Sequence, residues 1–403
     1  MAADTKQGAT QSVPKGFKQT EVGIFPLDWK LIPLVDTTPK YLRYGIVDGP
    51  FGSNLKTEHY RKSGIPIITS GYVTAGVFFA SEYLYVDESK YLQEKRSSVS
   101  GGDIVMAKIG ARCGASAIIP EDHPDGILSG NALKITIDRD KYSRDLLAQI
   151  LWNIYDKGDL EDITTTGAQP AISISNLRKR LIPLPPTLCE QQAIAEALSD
   201  MDAMIRSLER LIEKKKAIKQ GAMQELLRPK EGWVLKTFGE AFEIGHGKNQ
   251  SAVEDRNGQY PILGTGGFMA WANDFLYDKP SALIGRKGTI DVPRYMDTPF
   301  WTVDTLYFTK MKQGYNAKFV FYLFHTIDWY SHNEASGVPS LSGRTIENIE
   351  VHFPKDESEQ VRIASLLTEM EADIETTSIK LTKTRQLKQG MMQDLLTGKK
   401  RLI

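Results

Sequence analysis

Cysteine is scarce in this chain: two among 403 residues, Cys113 and Cys189, far apart and in no Cys-x-x-Cys spacing. That argues against a disulfide framework or a zinc site, fits a reducing cytoplasm, and assigns each thiol the role of a small buried hydrophobe. Long apolar runs are missing too. No stretch of 18 apolar residues occurs and the opening MAADTKQGAT is polar, so neither a membrane span nor a secretory signal core is expected, and the reading is of a soluble, cytoplasmic protein with no membrane partner. Nor is there an excess of charge of one sign. Fifty Lys and Arg offset fifty Asp and Glu, so bulk charge advertises neither a nucleic-acid coat nor a membrane surface, although local patches stay open. The six histidines, His59, His123, His246, His325, His332 and His352, include no i, i+4 pair around a glutamate, so surface or core roles outweigh metal binding. No phosphate loop of the Gly-x-x-x-x-Gly-Lys-(Ser/Thr) type and no Gly-x-Gly-x-x-Gly after a strand is present, and no cofactor is expected.

What is present is a duplication. With 41% apolar residues the chain is long enough for two or three domains, and it aligns with itself at a shift of 169 positions. Glu190–Leu227 and Glu359–Leu396 then share 16 identities in 38 positions without a gap, and Pro170, Ser173 and Pro185 fall on Pro339, Ser342 and Pro354. Looser matches pair GIPIITSGYV at Gly64 with GQYPILGTGGF at Gly258, DIVMAKIG ending at Gly110 with SALIGRKG ending at Gly288, and PLDW at Pro26 with PKEGW ending at Trp233. The shift changes from about 204 to 178 to 169 between these blocks, as loop insertions in a diverged domain would cause.

In the repeated segment, alternating steps of four and three visit Ile194, Leu198, Met201, Ile205, Leu208, Ile212, Lys215, Lys219, Ala222 and Leu226. The second copy gives Ile363, Leu367, Met370, Ile374, Thr377, Leu381, Thr384, Lys388, Met391 and Leu395. Sustained 3.5-residue spacing over about five heptads indicates coiled-coil helices, each roughly 60 Å long. Each begins acidic and ends basic, which suits its own dipole and favours antiparallel pairing of the two copies across a pseudo-twofold axis.

The remaining sequence reads as mixed strand and helix. PIIT, DIVMA, ALKITI, SALIG and TLYFT are strand-like, whereas KYSRDLLAQILWNIYD from Lys141 and NAKFVFYLFHTIDWYS from Asn316 have the apolar density of helices packed on a sheet. Pro183, Pro185 and Pro186 keep the chain extended before the first long helix. The expected fold is α+β, with two mixed α/β domains separated by two long helices pairing as an antiparallel coiled coil. The expected divisions are a flexible arm over 1–16, a first domain over 17–187, a central helix over 188–228, a second domain over 229–356 and a distal helix with tail over 357–403.

IPLPPTLCEQQAIAEAL at Ile182, its partner VHFPKDESEQVRIASLL at Val351, the KQG-x-MQ-(D/E)-LL helix ends at Lys219 and Lys388 and the closing LLTGKKRLI resemble the DNA-specificity subunit of Type I restriction-modification systems. The resemblance covers nearly the whole chain from about Gly16. It implies two target-recognition domains that each read one half of a split site on double-stranded DNA, with the long helices setting the distance between halves. It also implies docking of methyltransferase subunits, two of them, which with endonuclease and translocase subunits supply all catalysis, so the chain itself is expected to be no enzyme. In keeping with this, no Asn-Pro-Pro-(Tyr/Phe) of an adenine methyltransferase occurs.

Base reading needs Arg, Lys, Asn, Gln or Ser on loops that enter a groove, together with cations for phosphates. In the first domain the candidates are Asn54, Lys56, Arg61 and Lys62, with His59 on the same loop; Ser70 and Tyr72; and Lys108 and Arg112. In the second they are Lys248, Asn249 and Gln250, beside His246, then Arg286 and Lys287, with Arg294 close behind. Lys108 and Arg286 rank first, each two positions before the aligned glycines Gly110 and Gly288, which are themselves read as structural. From Pro229 to Asp356 there are 13 basic and 15 acidic residues, so composition gives this reading no help. Sixty ångströms of coil bounds the two half-sites to about 17 base pairs, and the unlike domains imply an asymmetric target. The competing reading is a coiled-coil protein scaffold without sequence-specific DNA binding, for which the heptads alone would serve; a self-contained modification enzyme is a weaker third.

Overall fold

The computed structural model describes residues 13–74, 76–165 and 169–402, so most of the expected arm over 1–16 lies outside the described residues. The chain divides into two compact units, Met1–Ser207 with Thr382–Ile403, and Leu208–Leu381. Both units have one plan: a mixed α/β domain packed on the first part of the long helix that follows it and on the last part of the other long helix.

At the base of each domain the chain enters and leaves through paired antiparallel strands. In the first unit Lys30–Pro33 pairs with Leu181–Leu184, and in the second Val234–Thr237 pairs with Glu350–Phe353. The shifts between these equivalents, 204 and 169, are those of the sequence repeat. Above each base lies an antiparallel four-stranded sheet, ordered Ser116–Ile118, Ile104–Ala107, Ala132–Ile135, Ile46–Asp48 in one unit and Phe242–Gly245, Leu306–Met311, Ser281–Gly285, Arg294–Met296 in the other. Ile104–Ala107 and Ser281–Gly285 are buried at every position, which is why DIVMA and SALIG read as continuous apolar runs instead of alternating. A second sheet in each unit contains one parallel pair, Ile65–Ile68 with Gly126–Leu128 and Tyr260–Gly264 with Trp301–Thr302.

One helix covers each main sheet. Arg144–Asp156 starts at Ser143, whose hydroxyl accepts the Leu146 N–H, and buries Leu146, Leu147, Ile150 and Leu151. Ala317–Phe324 starts at Asn316, whose side chain accepts the Phe319 N–H. The second helix is shorter than the apolar run from Asn316 suggested, because its end is stapled: the buried Trp329 indole donates to the Phe324 carbonyl and the Thr326 hydroxyl to that of Leu323, so Trp329–His332 forms a separate 3-10 turn.

The long helices span Leu188–Leu226 and Glu357–Leu395, 39 residues each. Every residue of the two heptad stripes is buried or half-buried, Ile194, Leu198, Ile363 and Leu367 fully so. The lysines that interrupt the stripes form ion pairs with acidic residues of the other helix. Within the first unit Lys388 donates to Asp202 at 2.6 Å; within the second Lys215 reaches Asp373 at 2.6 Å and Lys219 reaches Glu371 at 2.7 Å. Numbers rise on one helix as they fall on the other, so the segments in each unit run antiparallel, acidic start beside basic end.

The repeated Glu-Gln pair is what ties domain to helix. The buried Gln191 side chain accepts the Ser143 N–H at 3.0 Å and donates to the Pro185 carbonyl, while Gln360 accepts the Asn316 N–H at 3.0 Å and donates to the Gly314 carbonyl. Each glutamine thus satisfies the backbone at the cap of the sheet-covering helix. Glu190 is wholly buried and accepts from Nε and Nη2 of Arg401, whose Nη1 and Nη2 also donate to Asp28, whereas Glu359 accepts the Trp233 indole at 3.4 Å. Cys113 is buried as expected, but Cys189 is exposed: with Glu190 and Gln191 turned inward, a step of about 100° per residue sends position 189 to solvent.

Candidate nucleic-acid interface

In each unit a central strand ends in a cation, and the loop that follows is pinned by the same backbone hydrogen bonds. The Lys108 N–H donates to the Asn131 carbonyl, its own carbonyl accepts the Ile172 N–H, and the Gly110 N–H donates to Pro170. In the second unit Arg286 N–H donates to Thr305, its carbonyl accepts the Leu341 N–H, and Gly288 N–H donates to Pro339. Gly110 and Gly288 have φ of 97° and 87°, a left-handed conformation that accounts for the aligned glycines without any ligand. A second close approach is shared. A β-carbon on Gly49 would lie 2.0 Å from the Ser129 carbonyl oxygen, and one on Gly247 1.9 Å from that of Val303, so only glycine lets the neighbouring loop run against this edge.

Four loops therefore meet at one end of the second domain. Lys248 N–H donates to the Thr302 carbonyl, placing the loop with Lys248, Asn249 and Gln250 beside Val303; Asn249 folds it back by accepting the Ser251 N–H at 2.8 Å. Arg286 and Lys287 follow, with Arg286 donating to the Asp304 carbonyl at 3.3 Å and lying 6.0 Å from the Tyr307 ring centre. Burial pushes the Tyr307 hydroxyl up from its ordinary value, with Arg286 opposing. Arg294 donates to the Thr265 carbonyl at 3.3 Å, and its guanidinium packs on Gly267, so it holds the Thr265–Gly267 turn against the Gly288 loop. All six second-domain candidates are thus brought together, with Lys248, Asn249 and Lys287 exposed. Phe268 and Met269, which the sequence did not single out, stand more than half exposed beside that turn.

The first domain divides its candidates. Lys108 is held inside the cluster, its ammonium 2.5 Å from Asp48 and 4.0 Å from the Phe51 ring centre. Ser70 joins it through Asn131, whose side-chain oxygen accepts the Ser70 N–H at 3.2 Å, and exposed Asn54 and Lys56 follow Phe51 along the same loop. Arg112 is exposed, its guanidinium donating to the Val73 carbonyl at 3.0 Å. Tyr72 is spent on packing: its hydroxyl donates to the Glu82 carbonyl, its ring meets Phe78 and Tyr83, and burial pushes its hydroxyl up. Arg61 and Lys62 lie at the far end of the strand Ile65–Ile68 from Ser70; Arg61 is ion-paired with Asp87 at 2.8 Å, while Lys62 is exposed. Missed altogether was Asp48, which also takes Arg96 at 3.4 Å. A signal for it is the Asp-Gly at 48 and the His-Gly at 246, each at the end of a strand separated by one strand from that which carries the cation.

The family model described as the Type I restriction modification DNA specificity domain matches this chain twice, over residues 52–220 and 230–384. The chain belongs to that family. Among relatives of this specificity family, the Type I restriction enzyme MjaVIII specificity subunit of Methanocaldococcus jannaschii is 26% identical over 220 residues, 54% of this chain and 49% of that protein. The Type I restriction enzyme EcoDI specificity subunit of Escherichia coli is 24% identical over 174 residues, 41% of this chain and 37% of that one. The matched stretches thus span half or less of these curated relatives. In fold, the S subunit of a Type I restriction-modification system from M. genitalium superposes with a TM-score of 0.61 at 17% identity, covering 91% of this chain and 96% of that one. A chain from a study of assembly and conformational transition of the type I R-M system gives 0.55 at 14% identity, covering 93% and 99%. Among the described residues of this specificity-family chain, no helix is long and apolar enough to cross a membrane.

Proposed function

We propose that this chain is the non-catalytic DNA-reading subunit of a cytoplasmic Type I restriction-modification complex. Each α/β domain, over 17–187 and 229–356, reads one half of a split, asymmetric site on double-stranded DNA. The paired long helices, 188–228 and 357–403 with the tail, dock two methyltransferase subunits and, through them, the endonuclease and translocase subunits.

The observation that carries this reading is the doubled loop frame. Six backbone hydrogen bonds, three per domain, fix the same loop path while the side chains on it differ: Lys108 and Ile109 in one, Arg286 and Lys287 in the other. A conserved frame with different polar groups is what two modules reading different base sequences require, since positioning comes from the backbone and discrimination from donors and acceptors on the base edges. Exposed Asn54, Lys56, Arg112, Lys248, Asn249 and Lys287 supply cations and amides, with Ser70, Gln250 and Arg294 beside them; exposed Arg61 and Lys62, at the far end of their strand, offer phosphate contacts, and Tyr72 packs behind the Ser70 loop.

Co-expression with the methyltransferase subunit encoded in the same genome, in an unmethylated host, tests it by mapping modified adenines. A split asymmetric motif is the expected result. Assembly of a complex that modifies nothing would overturn the DNA-reading assignment.

A further inference from the structure

The two loop frames can be compared atom for atom beyond the cation. Asp48 lies opposite Leu133 in its sheet, while extension of the strand ending at Gly245 opposite Phe308 sets His246 opposite Tyr307. The carbonyls of Asn131 and Thr305, which accept the backbone N–H groups of Lys108 and Arg286, lie two residues before Leu133 and Tyr307. The following glycines, Gly49 and Gly247, are pressed against the equivalent carbonyls of Ser129 and Val303. Position 48 thus corresponds to 246 as position 108 corresponds to 286. In the first domain the pair is Asp48 with Lys108, in direct contact; in the second it is His246 with Arg286, both lying against the Tyr307 ring, at 5.1 and 6.0 Å.

We infer that 48/108 and 246/286 are equivalent specificity-determining positions, one pair per domain, each presenting a different donor and acceptor pattern to a base pair. This rests on the DNA-reading assignment above. The argument is one of freedom. Both backbone groups of Lys108 and of Arg286 are consumed by the frame, so the side chain is the only part that can vary without moving the loop. In the first domain the ammonium takes one carboxylate oxygen of Asp48, and among the described residues the other is reached only by Arg96 at 3.4 Å, a long contact that leaves it able to accept. An acceptor beside a cation suits an exocyclic amine, N4 of cytosine or N6 of adenine. In the second domain the planar fork of Arg286, which shares the Tyr307 ring with His246, suits the O6 and N7 acceptors of guanine.

The test is selection from a random duplex library by the full chain assembled with its methyltransferase subunits, followed by sequencing. Wild type is compared with Asp48→Asn, Arg286→Gln and Arg286→Lys. Arg286→Gln should move preference at one position of one half-site from guanine toward adenine by about ten- to a hundredfold, because an amide matches N6 and N7 of adenine. Arg286→Lys, which keeps the charge and is the gentler change to the fold, should retain guanine with a weaker margin. Asp48→Asn should change one position in the other half-site only. An unchanged motif in all three variants, a uniform loss of affinity, or changes in both halves at once would overturn the inference. Failure of wild type to select any motif would instead remove the DNA-reading assignment, and this inference with it.

Discussion

Arg401 is the side chain whose loss should be felt most in the first unit. The Glu190 carboxylate is wholly buried, Arg401 is about a third exposed and Asp28 about half. Removing the partner of a fully buried carboxylate costs about 3–5 kcal/mol. Water reaching the exposed part of this site lowers the expectation for Arg401→Met to about 2–3 kcal/mol, with the exposed Asp28 contact adding less than about 1. For a unit of this size that is a fall in Tm of about 4–12 °C. Calorimetry of Arg401→Met, Glu190→Gln and the double variant separates the pair from its surroundings: the double variant, with no charge left to strand, should recover at least half the loss. A Tm for Arg401→Met within about 1 °C of wild type, or a double variant no better than the single, would refute the reasoning. The acid limb carries a second readout. The Arg401 hydrogen bond holds Asp28 below its ordinary value near 3.8, so this contribution is present above that pH and is lost as pH falls through the depressed folded value; Arg401→Met should flatten that limb.

Three further outcomes are expected. Leu198→Asp with Ile205→Asp places charge in the heptad stripe and should abolish helix packing and co-purification with methyltransferase subunits, so an intact complex would count against the coil. Gln360→Leu leaves the Asn316 N–H without its acceptor and should cost about 1–3 kcal/mol by urea titration, and a neutral result would mean water replaces it. Burial pushes Glu371 up, but hydrogen bonds from Lys219 and Tyr322 outweigh it and hold the carboxyl below its ordinary value near 4.5. Its contribution is therefore present above pH 4.5 and lost on acidification, and Glu371→Gln should remove that dependence while leaving neutral-pH folding intact; an unaltered acid profile would exclude the pair from the ledger of stability.

The parts of this fold legible in sequence are those written in local periodicity. The heptad stripe, the strand-like DIVMA and SALIG runs and the shift of 169 all survive because they depend on neighbours within a few residues or on duplication. Even the lysines that break the stripe could be located, though their acidic partners could not be assigned. What escaped is long-range. Asp48 faces Lys108 across 60 residues, and Trp329 ends a helix that its apolar run alone would have continued. Gln191 was quoted as part of a signature, but its task, satisfying a backbone N–H 48 residues earlier, becomes visible only in three dimensions. Cys189 was misplaced because scarcity of cysteine says nothing about which face of a helix it occupies. Among the site residues, sequence could name the loops that converge in the second domain but not that Tyr72 and Lys108 are already engaged by their own chain.

The clasp between Arg401 and Glu190 also orders events in time. A ribosome makes Glu190 while the guanidinium that neutralises it is still 211 residues away, and Leu395 and Leu396, which share the core with Leu198, are nearly as far. The first domain to emerge therefore waits, with a carboxylate and an apolar flank unmatched, until the whole second domain has been synthesised. Translation that stalls between Leu381 and Arg401 would release a nascent chain whose later unit is whole and whose earlier one is unfinished.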